Sequence, residues 1–439
     1  MKKFFKLEQE GVTIGNEIMA GATTFMTMAY VLIVQPSSII GFGNNSITDI
    51  AGVTISREGL LLTCALVTGL ITLLMALYTN MPLALSTGMG SNFLLGKAIQ
   101  DNAISFGGAM AIVLISGTIF LLLCIFGIRG VIVRMMPRNI KVAISATIGF
   151  FIAYLGFKDA GIGDFKTGIA MGDFTNKGVI LAICTLLLIA VLHSKKVPGA
   201  VLIGMVISTI VAIPLGIIDL PTQIVSLPRF GEMKNLMFNF NFKDLLSGEA
   251  LVFIFICFFS DFFSTLGTVL GVAGIAGKLD ENGDLPGIEK PFLVDAIGTV
   301  VGACTGNTTV TTYVESSAGV KAGGRTGLTA LTTSALFFLA MFFAPIFMII
   351  PSATTGAALI FIGLTMISGL ANIDFSSFEE AFGPIMMILF GIFNASIAAG
   401  ISAGILAHVF IKVLSGKFKE LHFGMYILCV PLIIYFVFS

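Results

Sequence analysis

Cys304 to Arg325 reads C-T-G-N-T-T-V-T-T-Y-V-E-S-S-A-G-V-K-A-G-G-R. From Thr308 to Val314 almost every residue is β-branched or aromatic, which favours an extended backbone. Ser316, Ser317, Ala318 and Gly319 then open a short helix. Long apolar segments flank the stretch on both sides. An extended piece running into a half-helix at membrane depth leaves backbone N–H and C=O groups that lipid cannot satisfy. Such a break survives only when it is buried in protein or lines a wet cavity. The break therefore marks a site, with Glu315 at its turning point. The plainer alternative is a cytoplasmic loop with a solvated Glu315, for which the flanking segments leave little room.

Composition supports the membrane setting. Of 439 residues, 56% are hydrophobic and only 11% are charged, less than half the charged share of ordinary soluble chains, about 25%. Mean hydropathy is +1.02, and the formal net charge is zero. A chain with no basic surplus is a poor nucleic-acid partner. The 50 glycines suit helices that pack closely or break. Cys64, Cys124, Cys184, Cys257, Cys304 and Cys429 lie in apolar stretches without a C-x-x-C pair, and His193, His408 and His422 are scattered. Neither a zinc site, a disulfide framework nor a cofactor is expected. The first apolar run is a full span with no cleavage site after it, so no cleaved signal peptide is expected.

Apolar segments long enough to cross a bilayer, about 20 residues as helix, fall at 14–37, 58–79, 84–98, 106–128, 138–157, 177–194 and 198–217. After a more polar linker, 218–247, come 248–275, 290–306, 308–322, 326–349, 352–372, 382–397 and 398–416. A final run, 422–438, either crosses or lies at the interface. The third segment of the first seven, P-L-A-L-S-T-G-M-G-S-N-F-L-L-G from Pro82 to Gly96, is short and interrupted like the third of the second seven. Matched interruptions in two halves point to inverted repeats and a midplane site. With the N-terminus inside, sixteen of the 24 Lys and Arg fall on the cytoplasmic side, Arg129, Arg134, Lys321 and Arg325 among them, against eight outside, such as Lys166. That bias is the positive-inside pattern. The loop from Asp374 to Glu380 has no basic residue and adds nothing to it.

Few charges sit inside the spans. Asp261, in C-F-F-S-D-F-F-S-T-L-G-T, is bracketed by four phenylalanines. An acid at a helix centre costs about 3 kcal/mol to insert and is a functional candidate by default. A structural role, pairing with a serine or a backbone amide, is the alternative. Asp295, in F-L-V-D-A-I-G, reads equally as a cap or boundary residue. The third segment offers Gly88, Gly90, Ser91 and Asn92. Glycine admits close approach of the backbone, and the Asn92 amide both donates and accepts, although helix packing explains small residues as well. Two carboxylates beside Phe262, Phe263 and Tyr313 suit a flat, nitrogen-rich ring, with carboxylates accepting from ring N–H groups. Most such aromatics fill cores or face lipid. An acid kept from water also holds a proton more readily, which gives a route to proton-coupled uptake through Asp261 and Glu315.

These residues resemble the adenine/guanine/hypoxanthine permease (AzgA-like) branch of the nucleobase:cation symporter-2 family. The matching motifs are F-K-L-x-x-x-G-V-T at Phe5 to Thr13, G-A-T-T-F-M-T-M-A-Y at Gly21 to Tyr30 and G-M-G-S-N at Gly88 to Asn92. T-L-G-T-V-L-G-V follows at Thr265 to Val272, and V-T-T-Y-V-E-S-S-A-G-V-K-A-G-G-R-T-G-L-T at Val310 to Thr329. The resemblance covers essentially the whole chain. It implies an all-α polytopic membrane protein of fourteen segments in two inverted seven-segment repeats, with a strand and half-helix in segments 3 and 10. Core pieces at 1–137 and 248–350 and gate pieces at 138–217 and 351–418 follow, with a linker at 218–247 and a C-terminal segment at 419–439. It also implies purine-base import across the cytoplasmic membrane by an elevator-like motion, with H+ as coupling ion (Na+ remaining open) and a possible homodimer through the gate.

Family positions for purine binding map onto Asn92, Asp261 and Glu315. Gly88, Thr265, Ser316 and Phe262 complete the expected set, together with Ser264. That residue stands where the family pattern V-D-L-F-D-T-I-G-T carries a second acid, which leaves open which purine is preferred and whether a protonatable group is missing. The alternatives are a same-fold carrier of uracil, xanthine or an anion, and a proton-relay subunit of an ion-pumping complex. Two acids would repel an anion, and a relay subunit should carry ionisable residues in several spans. No nucleophile–base pair or metal set suggests an enzyme.

Overall fold

The computed structural model describes residues 2–127, 137–165, 170–220, 223–246, 248–280, 285–367, 370–371, 373, 375–394 and 396–438. Arg129, Arg134, Lys166 and Asp374 of the charge count lie outside these. In chain order, the first half contains α1 (Ile14–Met28), α2 (Val31–Ile40), the hairpin β1 (Ser46–Thr48) and β2 (Thr54–Ser56), and α3 (Arg57–Thr79). Next come β3 (Leu85–Thr87), α4 (Met89–Gln100), α5 (Phe106–Ile125) and α6 (Arg138–Asp159). The short strands β4 (Gly163–Asp164) and β5 (Ala170–Met171), then α7 (Lys177–Ser194) and α8 (Ala200–Ala212), complete it. The second half contains α9 (Gly248–Ile275), α10 (Glu289–Thr305), β6 (Val310–Thr312), α11 (Ser316–Lys321) and α12 (Gly327–Ala340). It ends with α13 (Ala344–Met348), α14 (Ser352–Ile367), α15 (Phe378–Phe393), α16 (Ile397–Leu414) and α17 (Phe423–Phe438).

Among the described residues, eight helical stretches are long and apolar enough to cross a bilayer; two of them, Ile14–Ile40 and Gly327–Met348, run through a helix junction. Ala200–Ala212 and Ser352–Ile367 are shorter and apolar. The chain is a multi-pass membrane protein. Side-chain oxygens start many of the helices: Thr13, Ser56, Ser105, Asn176, Thr326 and Ser396 each accept a backbone N–H of the first turn. Segment 1 is broken at Ala29 and Tyr30, a feature the apolar run of 14–37 does not announce. The linker 218–247 is more than a polar loop. Met233 and Leu236 are buried, and Asp244 accepts from the N–H (2.9 Å) and hydroxyl (2.6 Å) of Ser105, tying the linker to the start of α5.

The two halves meet at their interrupted third segments. Strands β3 and β6 pair antiparallel, with Leu85 opposite Thr312, Ser86 opposite Thr311 and Thr87 opposite Val310. The bonding around them repeats about a two-fold axis. Gly88 donates its N–H to Thr309 O (2.7 Å), and Tyr313 donates its own to Ala84 O (3.0 Å). The Thr72 hydroxyl lies against both the N–H (3.0 Å) and the C=O (3.2 Å) of Leu85. Thr299 does the same for Val310, at 3.0 and 3.2 Å. Thr72 on α3 and Thr299 on α10 therefore occupy equivalent places in two inverted repeats. Hydroxyls and the opposite strand supply the partners that lipid cannot, which is how irregular backbone survives in a membrane interior.

Around this crossing α3 packs on α12 and α10, α5 packs on α10 and α9, and α1 packs on α12 and α11. A second group assembles α6 with α14 and α15, α15 with α16, and α7 with α14 and α8. A glycine seam brings α6 and α14 into backbone contact. A methyl placed on Gly156 would meet Gly356 O at 2.7 Å, and one on Gly149 would meet Gly363 O at 2.8 Å; the reciprocal distances are 2.9 and 2.5 Å. Both pairs are two turns apart on antiparallel helices, so the backbones touch along one line. Gly356→Leu is expected to destabilise the fold by about 1–3 kcal/mol, the usual cost of overpacking. Heating purified protein before size-exclusion chromatography should show the variant lost at a lower temperature than the parent.

Candidate binding site at the strand crossing

The crossing fixes its own residues by hydrogen bonds. Asn92, fully buried on α4, donates to the Thr87 hydroxyl (3.1 Å) and accepts a short bond from the Thr308 hydroxyl. Its amide thus ties the first half-helix to the chain entering β6. Gly88 is required by the same closeness, since an added methyl would meet Thr309 Oγ1 at 2.7 Å. Ser316, also buried, accepts the N–H of Ala84 at 3.0 Å. Tyr313 donates its hydroxyl to Thr87 O at 2.5 Å.

Glu315 emerges from this frame. It sits between β6 and α11, half-buried beside exposed Val314, and its Oε1 accepts the Tyr30 hydroxyl at 2.6 Å. Tyr30 lies at the break between α1 and α2, so the interruption of segment 1 places a phenol against the acid. Thr27 reaches Glu315 O at 3.4 Å.

Asp261 lies deeper, 2% exposed. Its Oδ2 accepts the Thr299 hydroxyl at 2.7 Å, and Oδ1 is buried without a partner. One turn on, the Thr265 hydroxyl meets that of Thr311 at 2.9 Å. Asp261 and Thr265 thus face the outer edge of β6. Ser264, three residues on from Asp261 and so about 60° round the helix from it, is exposed, as are Gly267, Gly271 and Gly274 further along α9. This face of α9 opens away from the packed core. The departure from the family pattern at position 264 therefore falls on the open side of the helix, while the retained acid falls on the closed side.

Phe262 does not present its ring to an opening. It is fully buried and packs against Phe120 (5.5 Å between ring centres), Phe292 (5.4 Å) and Phe258 (6.0 Å). It fills the wall between α9, α5 and α10, as most aromatics in apolar helices do.

Two residues of the crossing region, Tyr30 and Glu17, are not singled out by local sequence, and a third, Asp295, reads there as a cap or boundary residue. Asp295, fully buried inside α10 rather than at its boundary, accepts the Thr312 N–H at 2.9 Å and leaves Oδ2 unpartnered. Glu17, also fully buried, receives the N–H of Arg325 (2.8 Å), Thr326 (3.3 Å) and Thr329 (3.0 Å), and the hydroxyls of Thr326 (2.8 Å) and Thr329 (2.7 Å). It caps α12 and fastens α1 to the exit of the second half-helix. Two cavities lie elsewhere. One of ≈ 250 Å³ is lined by Glu58, Arg229 and Met348 among others. The other, of ≈ 200 Å³, lies between α4, α6, α9 and α16 and is lined by Phe93, Lys97, Phe151, Glu249 and Ser396 among others.

Comparison with known proteins places this architecture. Among solved structures, the transmembrane domain of a cyanobacterial bicarbonate transporter, BicA, superposes with a TM-score of 0.61 at 17% identity, covering 88% of this chain and 96% of its own. The murine anion transporter Slc26a9 in its inward-facing state gives 0.62 at 11% identity, covering 91% of this chain and 68% of its own. At such identities the likeness is one of fold, the inverted-repeat transporter fold. By sequence, a putative permease of Methanocaldococcus jannaschii is 36% identical over 100% of this chain and 98% of its own. The guanine/hypoxanthine permease PbuG of Bacillus subtilis is 35% identical over 100% of both. The adenine permease AdeQ of Escherichia coli is 32% identical over 96% of this chain and 93% of its own. A family model described as "Permease family" matches residues 15–403. A transporter with this repeat, matched along 96–100% of its length by adenine and guanine/hypoxanthine permeases, belongs to the permease family.

Proposed function

We propose that this chain imports purine bases across the cytoplasmic membrane by proton symport, with its N-terminus inside. The observation that carries the reading is Glu315: an acid at the head of a half-helix, part open and part held by Tyr30, where two inverted repeats cross. A purine offers ring N–H groups and, in adenine and guanine, an amino group. A carboxylate accepts such donors with charge-assisted bonds. The names of the relatives, adenine and guanine/hypoxanthine permeases, support the same cargo.

In this reading the opening is bordered by Glu315 and by the Ser264 face of α9, which packs on both β6 and α11. Asp261 and Thr265 stand one layer behind, on the edge of β6, where Asp261 carries the coupling proton. Asn92, Gly88 and Ser316 hold the crossing in shape. The helices around the crossing, 1–137 and 248–350, act as the core that carries the base. Those of 138–217 and 351–418, stiffened by the glycine seam, act as the gate against which the core moves like an elevator.

The test is uptake of labelled adenine, guanine, hypoxanthine and uracil into cells lacking their own permeases. Purine uptake that collapses with a protonophore and persists without Na+ is expected. Uptake of uracil alone, or purine uptake that needs Na+, would contradict the reading. Ser264→Asp, which restores an acid on the open face, is expected to change the ratio of adenine to guanine uptake or move the pH optimum. Identical competition curves for the two proteins would make position 264 a bystander.

A further inference from the structure

We propose that Asp261 and Asp295 form one buried site that holds a single proton between them, and that Thr299 reports its occupancy to strand β6. The inference rests on the purine–proton symport reading above and assigns the proton a place within it.

Both acids lie against the same edge of β6. Asp295 takes the Thr312 N–H directly, and Asp261 reaches Val310 through Thr299. Asp295 and Thr299 are one turn apart on α10, so their side chains are neighbours. Since Thr299 bonds Asp261 at 2.7 Å, the two carboxylates meet the same stretch of α10. Of their four oxygens, two are engaged; Asp261 Oδ1 and Asp295 Oδ2 are buried without a partner, as is the nearby Thr312 hydroxyl. The surroundings present Thr265 and Cys257 on α9, Thr299 on α10, and Thr311 and Thr312 on β6. No described Lys, Arg or His forms an ion pair with either acid.

Two unaccompanied negative charges in a membrane interior are strongly disfavoured. One proton relieves the repulsion, as it does wherever two carboxylates share a site. The free carboxylate oxygens supply the acceptors for that proton.

Thr299 supplies the readout. Its hydroxyl accepts the Val310 N–H and has one hydrogen for two acceptors, Asp261 Oδ2 at 2.7 Å and Val310 O at 3.2 Å. With the pair fully ionised, the hydrogen goes to Asp261. With the proton held between Asp261 Oδ1 and Asp295 Oδ2, Asp261 Oδ2 loses most of its charge as an acceptor, and the Thr299 hydrogen turns to Val310 O. In the other repeat, among the described residues, no bond to an acid competes for the Thr72 hydroxyl, which serves Leu85. The strand that leads to Glu315 is therefore held differently in the two states, while its symmetry mate is not. The proton enters with the base from outside and leaves to the cytoplasm; no other group changes covalently.

The test uses purified protein in liposomes containing a trapped pH dye, with hypoxanthine exchange measured in parallel. In Asp295→Asn, protons moved per base should fall about tenfold or more, since a like-charged neighbour shifts proton affinity by at least about one pH unit. Base exchange should stay within about threefold of the parent, because Asp295 does not border the opening. Asp295→Glu should restore proton movement. Thr299→Val should lower protons per base, and Thr299→Ser should recover it. Parental proton movement in both Asp295→Asn and Thr299→Val would overturn the proposal. So would loss of hypoxanthine binding in Asp295→Asn, which would move Asp295 into the base site. Failure of the symport reading is recognised separately: the unaltered protein would then exchange base without moving protons.

Discussion

Glu315→Gln is expected to reduce purine uptake by about 10- to 100-fold while the protein still reaches the membrane. Glutamine keeps the shape and accepts the Tyr30 hydroxyl as Glu315 Oε1 does, so the half-helix stays in place. What is lost is charge on the oxygens that meet the ring N–H donors. Hydrogen bonds to charged groups contribute about 1.5–3 kcal/mol, and each 1.4 kcal/mol is about tenfold in affinity. The amide also turns a donor towards a base edge that itself donates. Initial rates of hypoxanthine uptake over a concentration series check this: a raised KM is the expected form of the loss. Parental kinetics would remove Glu315 from the site.

Asp261→Asn is expected to fail differently. Asparagine still accepts from Thr299, so the edge of β6 remains capped, but it takes no proton at this pH. A proton drawn inward by about 100 mV contributes about 2.3 kcal/mol, enough for about 50-fold accumulation of base. The variant should lose that accumulation and only equilibrate. The steady-state ratio of base inside to outside in energised vesicles measures it. A variant that still concentrates purine would place the proton elsewhere. The two substitutions separate gripping from driving, and the structure offers a reason for the division: Glu315 is part open, whereas Asp261 is buried.

Much of this site is legible in the chain because its signals are local. The β-branched run ahead of Glu315 does form a strand, Val310–Thr312, and the serines after it do open a helix, Ser316–Lys321. The matching break between Pro82 and Gly96 gives β3 and α4. An acid flanked by phenylalanines, Asp261, is indeed buried. What escapes local reading is decided by partners far along the chain. Tyr30 meets an acid 285 residues away, and Glu17 meets donors more than 300 residues away. Asp295 looked like a boundary residue because its apolar run begins just before it, yet α10 starts at Glu289 and the Thr312 N–H that binds it comes from a strand beyond the helix. Facing is the second limit. Phe262, Ser264 and Asp261 are near neighbours on one helix, and only the packing of α9 against α5, α10 and β6 decides which meets the wall, the opening or the strand edge. The glycine seam between α6 and α14 shows a third limit, since two-turn spacing in each helix carries no pairing until the antiparallel register is known.

The central claim is that the base lies at the strand crossing, against Glu315. Electron cryomicroscopy of the protein saturated with hypoxanthine tests it most directly. The account predicts ring-shaped density touching the Glu315 carboxylate and facing Ser264 on α9. Density instead in the ≈ 200 Å³ cavity lined by Phe93, Lys97 and Phe151, with the crossing empty, would contradict it.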